Sequence, residues 1–342
     1  VEILPSSSRV PGALMAGLGI LAATTAWASE PRPGEFVERH GDEIVVCGQL
    51  VHTGAPVVLW MDPCGYDAYR VERRFAPLEK SSWKATVEDS AALSSPNRYG
   101  MRTAGLAPDV VERVRGGGWD LATLQEVVDQ FVLHYDVCGT SRRCFTVLHD
   151  RRGLSVHFLL DVDGTVYQTL DLKERAWHAT VSNTRSVGVE IANIGAYPPG
   201  RSAPLEKWYV HGDDGEPRLR LPAPASELGI RTPGFVGRPV RGPIEGVVQG
   251  RELRQYDLTA EQYDSLTKLT ATLCIIFPKI RCDYPRDDQG QLVREKLPDP
   301  ILRQYQGILG HYHVQSNKVD PGPAFQWDRV IDGAKEIIRP RS

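Results

Sequence analysis

Apolar and polar positions along the chain fall into segments with a readable period and segments without one. GDEIVVCGQLV, residues 41–51, and PVVLWMD, residues 56–62, gather β-branched and apolar residues as strands do. From Lys80 to Pro108 the mixture of Ser, Pro, Asn and Gly predicts irregular chain. Gly116-Gly117-Gly118 marks a hinge, beyond which the pattern turns regular. DLATLQEVVDQ, residues 120–130, predicts a short helix with Asp120 as N-cap. QFVLHYD, residues 130–136, reads as a strand entering a core. Its alternation assigns Phe131, Leu133 and Tyr135 to one face, and Val132, His134 and Asp136 to the other.

SVHFLLD and TVYQTLD predict two strands joined through Val162-Asp163-Gly164, because Asp-Gly favours a tight hairpin turn. RSVGVEIANIG, residues 185–195, is mostly apolar or small and predicts a strand buried on both faces. Between Gly195 and Gly250, nineteen of 56 positions are Gly or Pro, so a long loop-rich insertion is expected there. TAEQYDSLTKLTATLCIIF then has helical spacing behind Thr259 as N-cap. A loop with Cys282, the stretch GHYHVQSNKVDPGPAFQW and a closing helix, WDRVIDGAKEIIR, complete the chain. The expected organisation is a small β-containing N-terminal region of unknown role over residues 29–115. A main domain follows over residues 116–342, with its insertion at about 195–257.

Composition narrows the class. Hydrophobic residues at 41% and charged residues at 24% of 342 positions predict an ordered core. A formal charge of −3 supplies no polybasic footprint, which argues against nucleic acid or an anionic membrane as partner. Residues 1–28 read as an export signal: Arg9, an apolar run from Pro11 to Ala23, and Ala26-Trp27-Ala28 as a small-x-small cleavage site. That run is short for a membrane span, so a periplasmic or secreted protein with no stable span after cleavage is expected. The six cysteines form local pairs, Cys47 with Cys64, Cys138 with Cys144, and Cys274 with Cys282. Such spacing in an exported chain favours disulfides over a metal role, with the connectivity open.

The densest chemistry lies between Gly310 and Trp327. His311 and Asp320 are a nitrogen and an oxygen donor of the kind zinc accepts, and Asp-Pro-Gly-Pro makes a rigid turn at the aspartate. Lys318, two residues before Asp320, leaves an extended chain on the same face. A catalytic zinc needs three protein ligands and an open position. His134 is the first candidate for the third ligand, since a ring inside an apolar strand is costly without a partner. His149, His157, His178 and His313 compete with it, whereas His40 and His52 read as surface or structural residues. Glu190 also stands out, a carboxylate inside a strand between the small residues Gly188 and Ala192.

FVLHYD, SVHFLLDVDGTVYQ, AWHA, SVGVEIAN and GHYHVQSNKVDPGPAFQW, in that order, resemble the type 2 N-acetylmuramoyl-L-alanine amidase family over roughly residues 119–335. The family shares its fold with the peptidoglycan recognition proteins. The resemblance implies an α/β fold, a mixed, mostly β sheet flanked by helices. It implies zinc held by His134, His311 and Asp320, catalysis by Glu190 and Lys318, and His178 and Asn193 at the substrate. It also implies hydrolysis of the amide between the lactyl group of N-acetylmuramic acid and L-alanine, in peptidoglycan or muropeptides. Cys138 and Cys144 resemble the short disulfide of the peptidoglycan recognition proteins. A non-catalytic peptidoglycan-binding protein of the same fold would lack metal ligands. A zinc peptidase would cut substrates without muramic acid.

Overall fold

The computed structural model describes residues 32–82, 84–85 and 99–340; the expected export segment, residues 1–28, lies outside them. Residues 32–38 belong to a separate N-terminal unit ending at Glu38, in which the Glu35 carboxylate accepts from the Arg32 amide. Arg39–Ser342 forms the second unit.

That second unit is built on a six-stranded mixed sheet. Its strands in chain order are β1 (Val57–Leu59), β2 (Gln130–Tyr135), β3 (Phe158–Leu160), β4 (Val166–Gln168), β5 (Ser186–Ile191) and β6 (Gly307–Gly310). Across the sheet the order is β6-β2-β5-β3-β4-β1. All neighbours are parallel except the β3–β4 hairpin. That hairpin turns where Asp163-Gly164 predicts, with Gly164 at φ +82°. The fold is therefore mixed α/β, as the sequence leads one to expect.

Period-2 alternation divides each strand between two faces. Phe131, Leu133, Phe158, Leu160, Val187, Val189, Ile191 and Ile308 point into the main core. They meet the long helix Ala260–Ile276 and the closing helix Trp327–Ile338 there, through Tyr263, Leu266, Leu269, Val330 and Ile331. Thr259 and Gln262 cap the long helix reciprocally, side chain to backbone in both directions. Asp120 caps the short helix Leu121–Val127 as its position predicts. The opposite face carries Val132, His134, Gly188 and Glu190, and it is where the polar site forms.

Two expectations change. The hinge at Gly116–Gly118 does not divide compact units, because residues on both sides share one sheet. β1 pairs with β4, and Tyr99–Met101 pairs with Glu174–Ala176. The insertion is also more ordered than its Gly/Pro content suggests. It holds a ladder between Tyr209–His211 and Pro217–Leu219, and a hairpin, Ile244–Val248 with Arg251–Gln255. The hairpin turns through Gln249 and Gly250, both at positive φ, the mirror-image turn that suits twisted strands.

Arg102 explains how chain before the hinge binds to chain after it. Its guanidinium is fully buried and donates to the carbonyls of Leu172, Asn183, Thr184 and Ser186 at 2.7–3.3 Å. Replacing it with methionine leaves those acceptors without donors, each costing about 1–3 kcal/mol. Arg102→Met should lower unfolding stability by at least about 3 kcal/mol, read from the urea midpoint. An unchanged midpoint would show that the four bonds contribute nothing.

Candidate metal centre and active site

β2, β5 and β6 run parallel, so their C-terminal ends lie along one edge, where open α/β sheets place ligands. His134 stands near the end of β2 and Glu190 directly opposite it on β5. β6 ends at Gly310, and the short helix His311–Val314 begins there. The chain then returns through a turn to Asp320. Three side chains remote in sequence thus meet. His134 Nδ1 lies 2.8 Å from His311 Nδ1, and Asp320 Oδ2 lies 3.1 Å from the first and 2.9 Å from the second. All three residues are buried.

The remaining ring nitrogens fix which atoms face inward. His311 Nε2 is 2.7 Å from Gln315 Oε1, which only accepts, so this nitrogen carries the proton and Nδ1 carries the lone pair. His134 Nε2 is 2.9 Å from His178 Nδ1, and His178 Nε2 is 3.2 Å from Ser186 Oγ. Donation can run along that chain from His134 through His178 to Ser186 or back from the Ser186 hydroxyl; the first direction leaves the His134 Nδ1 lone pair facing His311, as a metal ligand requires. In that direction two lone pairs and a carboxylate oxygen converge. A tetrahedral centre with bonds of about 2 Å spaces its ligand atoms by about 3.3 Å, close to what is found. The donor set fits a divalent metal with nitrogen and oxygen ligands.

The electrostatics are those of a buried cluster. Burial, then the charge of His311, pulls the His134 imidazole down to about 4. Burial by itself would raise Asp320, but the charge of His311 and the closeness of both rings outweigh it and hold the carboxyl below its usual range. Glu190 is half-buried, and its carboxylate has no hydrogen-bond partner among the described residues. Burial pushes it well above the usual carboxylate range, Asp320 and Asp136 add to that, and Lys318 opposes them. The Lys318 ammonium forms no ion pair among the described residues, yet its charge acts on both Glu190 and His134. The edge thus holds a cluster suited to a cation, a free carboxylate and a free ammonium.

The competing histidines are committed elsewhere. His313 Nδ1 accepts from the Gly310 amide at 2.9 Å, and its Nε2 donates to the Val293 carbonyl at 2.7 Å. His157 Nδ1 accepts from the Gly188 amide at 3.1 Å, and its Nε2 donates to the Glu174 carbonyl at 2.9 Å. His149 lies between Asp150 and the Arg70 carbonyl. His178, which the resemblance puts at the substrate, is half-buried and bonds to His134. Gly188 makes room for it, since a Cβ there would lie 2.4 Å from the ring. Asn193 is buried, with its amide bonded to the Tyr256 carbonyl and its oxygen accepting from Gly195 and Gln255, so it braces the turn after β5.

Gln315 and Ser186 were not legible as site residues. The only trace of Gln315 is its spacing of four from His311, one helical turn. Cys138 and Cys144 follow β2 as neighbouring thiols, and Cys274 and Cys282 are likewise adjacent.

Comparison with known proteins adds a family. The sequence profile of N-acetylmuramoyl-L-alanine amidase, Amidase_2, matches residues 124–323, a span that includes all seven candidate residues. A search of curated proteins finds no match. A crystal structure of a Se-Met AmpD derivative is similar at 16% identity, covering 69% of this chain and 89% of that one, with a TM-score of 0.32. The endolysin amidase LysCS from Clostridium intestinale URNW is similar at 14% identity, covering 63% and 88%, with a TM-score of 0.32. The amidase AmiD from E. coli, in complex with anhydro-N-acetylmuramic acid-L-Ala-D-gamma-Glu-L-Lys, is similar at 14% identity, covering 60% and 57%, with a TM-score of 0.33.

Two expectations follow from the geometry. Asp320→Ala and His311→Ala should each lower bound metal well below one per chain, measured by atomic emission. Gln315→Leu removes no ligand but frees the His311 ring to rotate, so metal affinity should fall roughly 10- to 100-fold in a chelator competition. Full affinity in Gln315→Leu would show that the ring is held by packing alone.

Proposed function

The chain belongs to the N-acetylmuramoyl-L-alanine amidase family, and from that premise we propose a zinc-dependent hydrolase of the amide between the lactyl group of N-acetylmuramic acid and L-alanine. Its substrate would be peptidoglycan or released muropeptides. The observation that carries this reading is the convergence of His134, His311 and Asp320 beside Glu190 and Lys318, two charged groups with no partner among the described residues.

Zinc held by His134, His311 and Asp320 would supply a Lewis acid and a water that loses its proton near neutral pH. Glu190, across the strand pair from His134, is placed to accept that proton and return it to the departing L-alanine amine. Lys318 faces the negative charge that develops on the carbonyl oxygen as the water oxygen bonds to its carbon. The C–N bond then breaks, giving a glycan carboxylate and a peptide with a free amine. Ser186, His178 and Gln315 touch no substrate in this scheme. They hold the two ligand rings so that binding does not first require ordering them.

The wall lies outside the cytoplasmic membrane, so the proposal places the protein there, periplasmic or secreted, with residues 1–28 as its export signal. No helix among the described residues is long and apolar enough to cross a membrane. In that oxidising setting the neighbouring thiols of Cys138 and Cys144 would close as a disulfide just behind the metal strand.

The test is mass spectrometry of peptidoglycan treated with the full chain, which should release peptides beginning with free L-alanine. Glu190→Gln should retain metal and melting temperature while losing about 10²–10⁴ in kcat. Lys318→Ala should also keep its metal and lose about 10²–10³, chiefly in kcat. Wall that stays intact in the presence of metal-loaded protein would sink the enzymatic reading.

A further inference from the structure

A second concave feature shares no residue with the metal cluster. A cavity of about 480 Å³ opens between the loop of residues 284–294, the first turn of the closing helix and Arg241. Four guanidinium groups line it, Arg241, Arg286, Arg294 and Arg329, against a single lining carboxylate, Asp328.

Two of the four are held in place. Arg241 donates through Nε to Asp257 and through Nη2 to the Ala324 carbonyl, both at 2.8 Å. Arg286 lies 3.9 Å over the Tyr284 ring and donates to Asp283, Asp328 and the Gly290 carbonyl at 3.1–3.2 Å. The other two are unspent. The exposed Arg294 guanidinium makes no hydrogen bond or ion pair among the described residues, and the exposed Arg329 guanidinium makes only a cation–π contact, 4.5 Å over Tyr263. A guanidinium has five N–H donors and no acceptor, so even Arg241 and Arg286 retain free donors. Asp328 Oδ1 already accepts from the Tyr284 hydroxyl at 2.6 Å and from Arg286, which leaves Oδ2 as the one open lining carboxylate oxygen for all the remaining donors.

The helix adds donors of the same sense. Its N-cap residue, Gln326, makes no capping bond, because its amide donates to Asp257 at 2.7 Å. The amides of Trp327, Asp328 and Arg329 begin a twelve-residue helix at this cavity without a side-chain acceptor. Asp287 and Asp288 belong to the same loop but do not line the cavity, where four guanidinium groups face one carboxylate even before the helix end is counted. Four guanidinium groups around a cavity with one lining carboxylate, two held in place and two free to close on a ligand, select a ligand with several negative oxygens. A neutral glycan would bring donors of its own, and a cation would be repelled.

We propose that this cavity is an oxyanion-binding site, separate from the metal cluster, for a ligand carrying a phosphate group or closely spaced carboxylates. Pro323 on its rim is three residues from Asp320, so it is at most about 11 Å from it along the chain. An occupant would therefore sit against the same turn that holds the metal ligand.

The test uses the full chain in isothermal titration calorimetry at low ionic strength, with inorganic phosphate in one arm and citrate in the other. Saturable binding is expected in at least one arm, and the arm that binds tighter identifies the class. The double variant Arg294→Ala/Arg329→Ala should weaken it at least about tenfold with melting temperature and metal content unchanged. Arg294→Glu alone should weaken it in the same direction. No saturable binding in either arm overturns the proposal, as does unchanged affinity in the double variant. Loss of binding in Asp320→Ala with retention in the double variant would place the anion at the metal cluster and overturn it too. No wall substrate enters the measurement, so its outcome is independent of the amidase reading.

Discussion

Parallel pairing of three strands is the constraint on which the site depends. β2 lies between β5 and β6, with Leu133 opposite Gly310 and His134 opposite Glu190. Because all three run in one direction, their ends reach a common edge, and the side chains just there are forced into one volume. His134 and Glu190 face each other across one rung. His311 is simply the next residue after the strand that pairs on the other side. No loop has to be long or specially shaped to bring these groups together. Only Asp320 arrives by a turn, and its Oδ2 lies within 3.1 Å of both histidine rings there.

A second layer makes the cluster definite. Without Gln315 and His178, the two imidazoles could rotate and present either nitrogen. With Gln315 accepting from His311 and His178 accepting from His134, both Nδ1 lone pairs turn inward. The layer depends on close packing at β5: Gly188 is the position where the His178 ring passes, and a side chain there would displace it. Arg102 fastens the same region from the N-terminal side by filling the carbonyls of Asn183, Thr184 and Ser186. A residue outside the matched family span thus supports the chain that carries His178.

Free charge is the other organising feature. Glu190 and Lys318 both lack partners among the described residues, and the Lys318 charge is felt at Glu190. In a merely structural ion pair the two would have closed on each other. Their separation leaves an acceptor and a cation available to something that enters the site. The arginine-lined cavity shows the same signature in a different sign, with four guanidinium groups and one lining carboxylate.

The chain's local code was sufficient for the strands, their faces and the caps. Alternation in QFVLHYD assigned His134 to the face opposite Phe131 and Leu133, and Asp120 and Thr259 cap the helices that follow them. Such features depend on residues within a few positions of one another, and side-chain period and capping chemistry act at that range. His134, Glu190, Lys318, His311 and Asp320 were also legible, since a charged or imidazole group in an apolar strand or a Pro-bounded turn is conspicuous. What only the tertiary structure decided is how each ring is used. His178 went to His134, Asn193 into a turn, His313 and His157 to backbone carbonyls, and Gln315 became the partner that orients His311. A hydrogen-bond partner is chosen by which atoms packing brings within 3 Å, across separations such as the 177 residues between His134 and His311. No pattern of neighbouring residues encodes that distance.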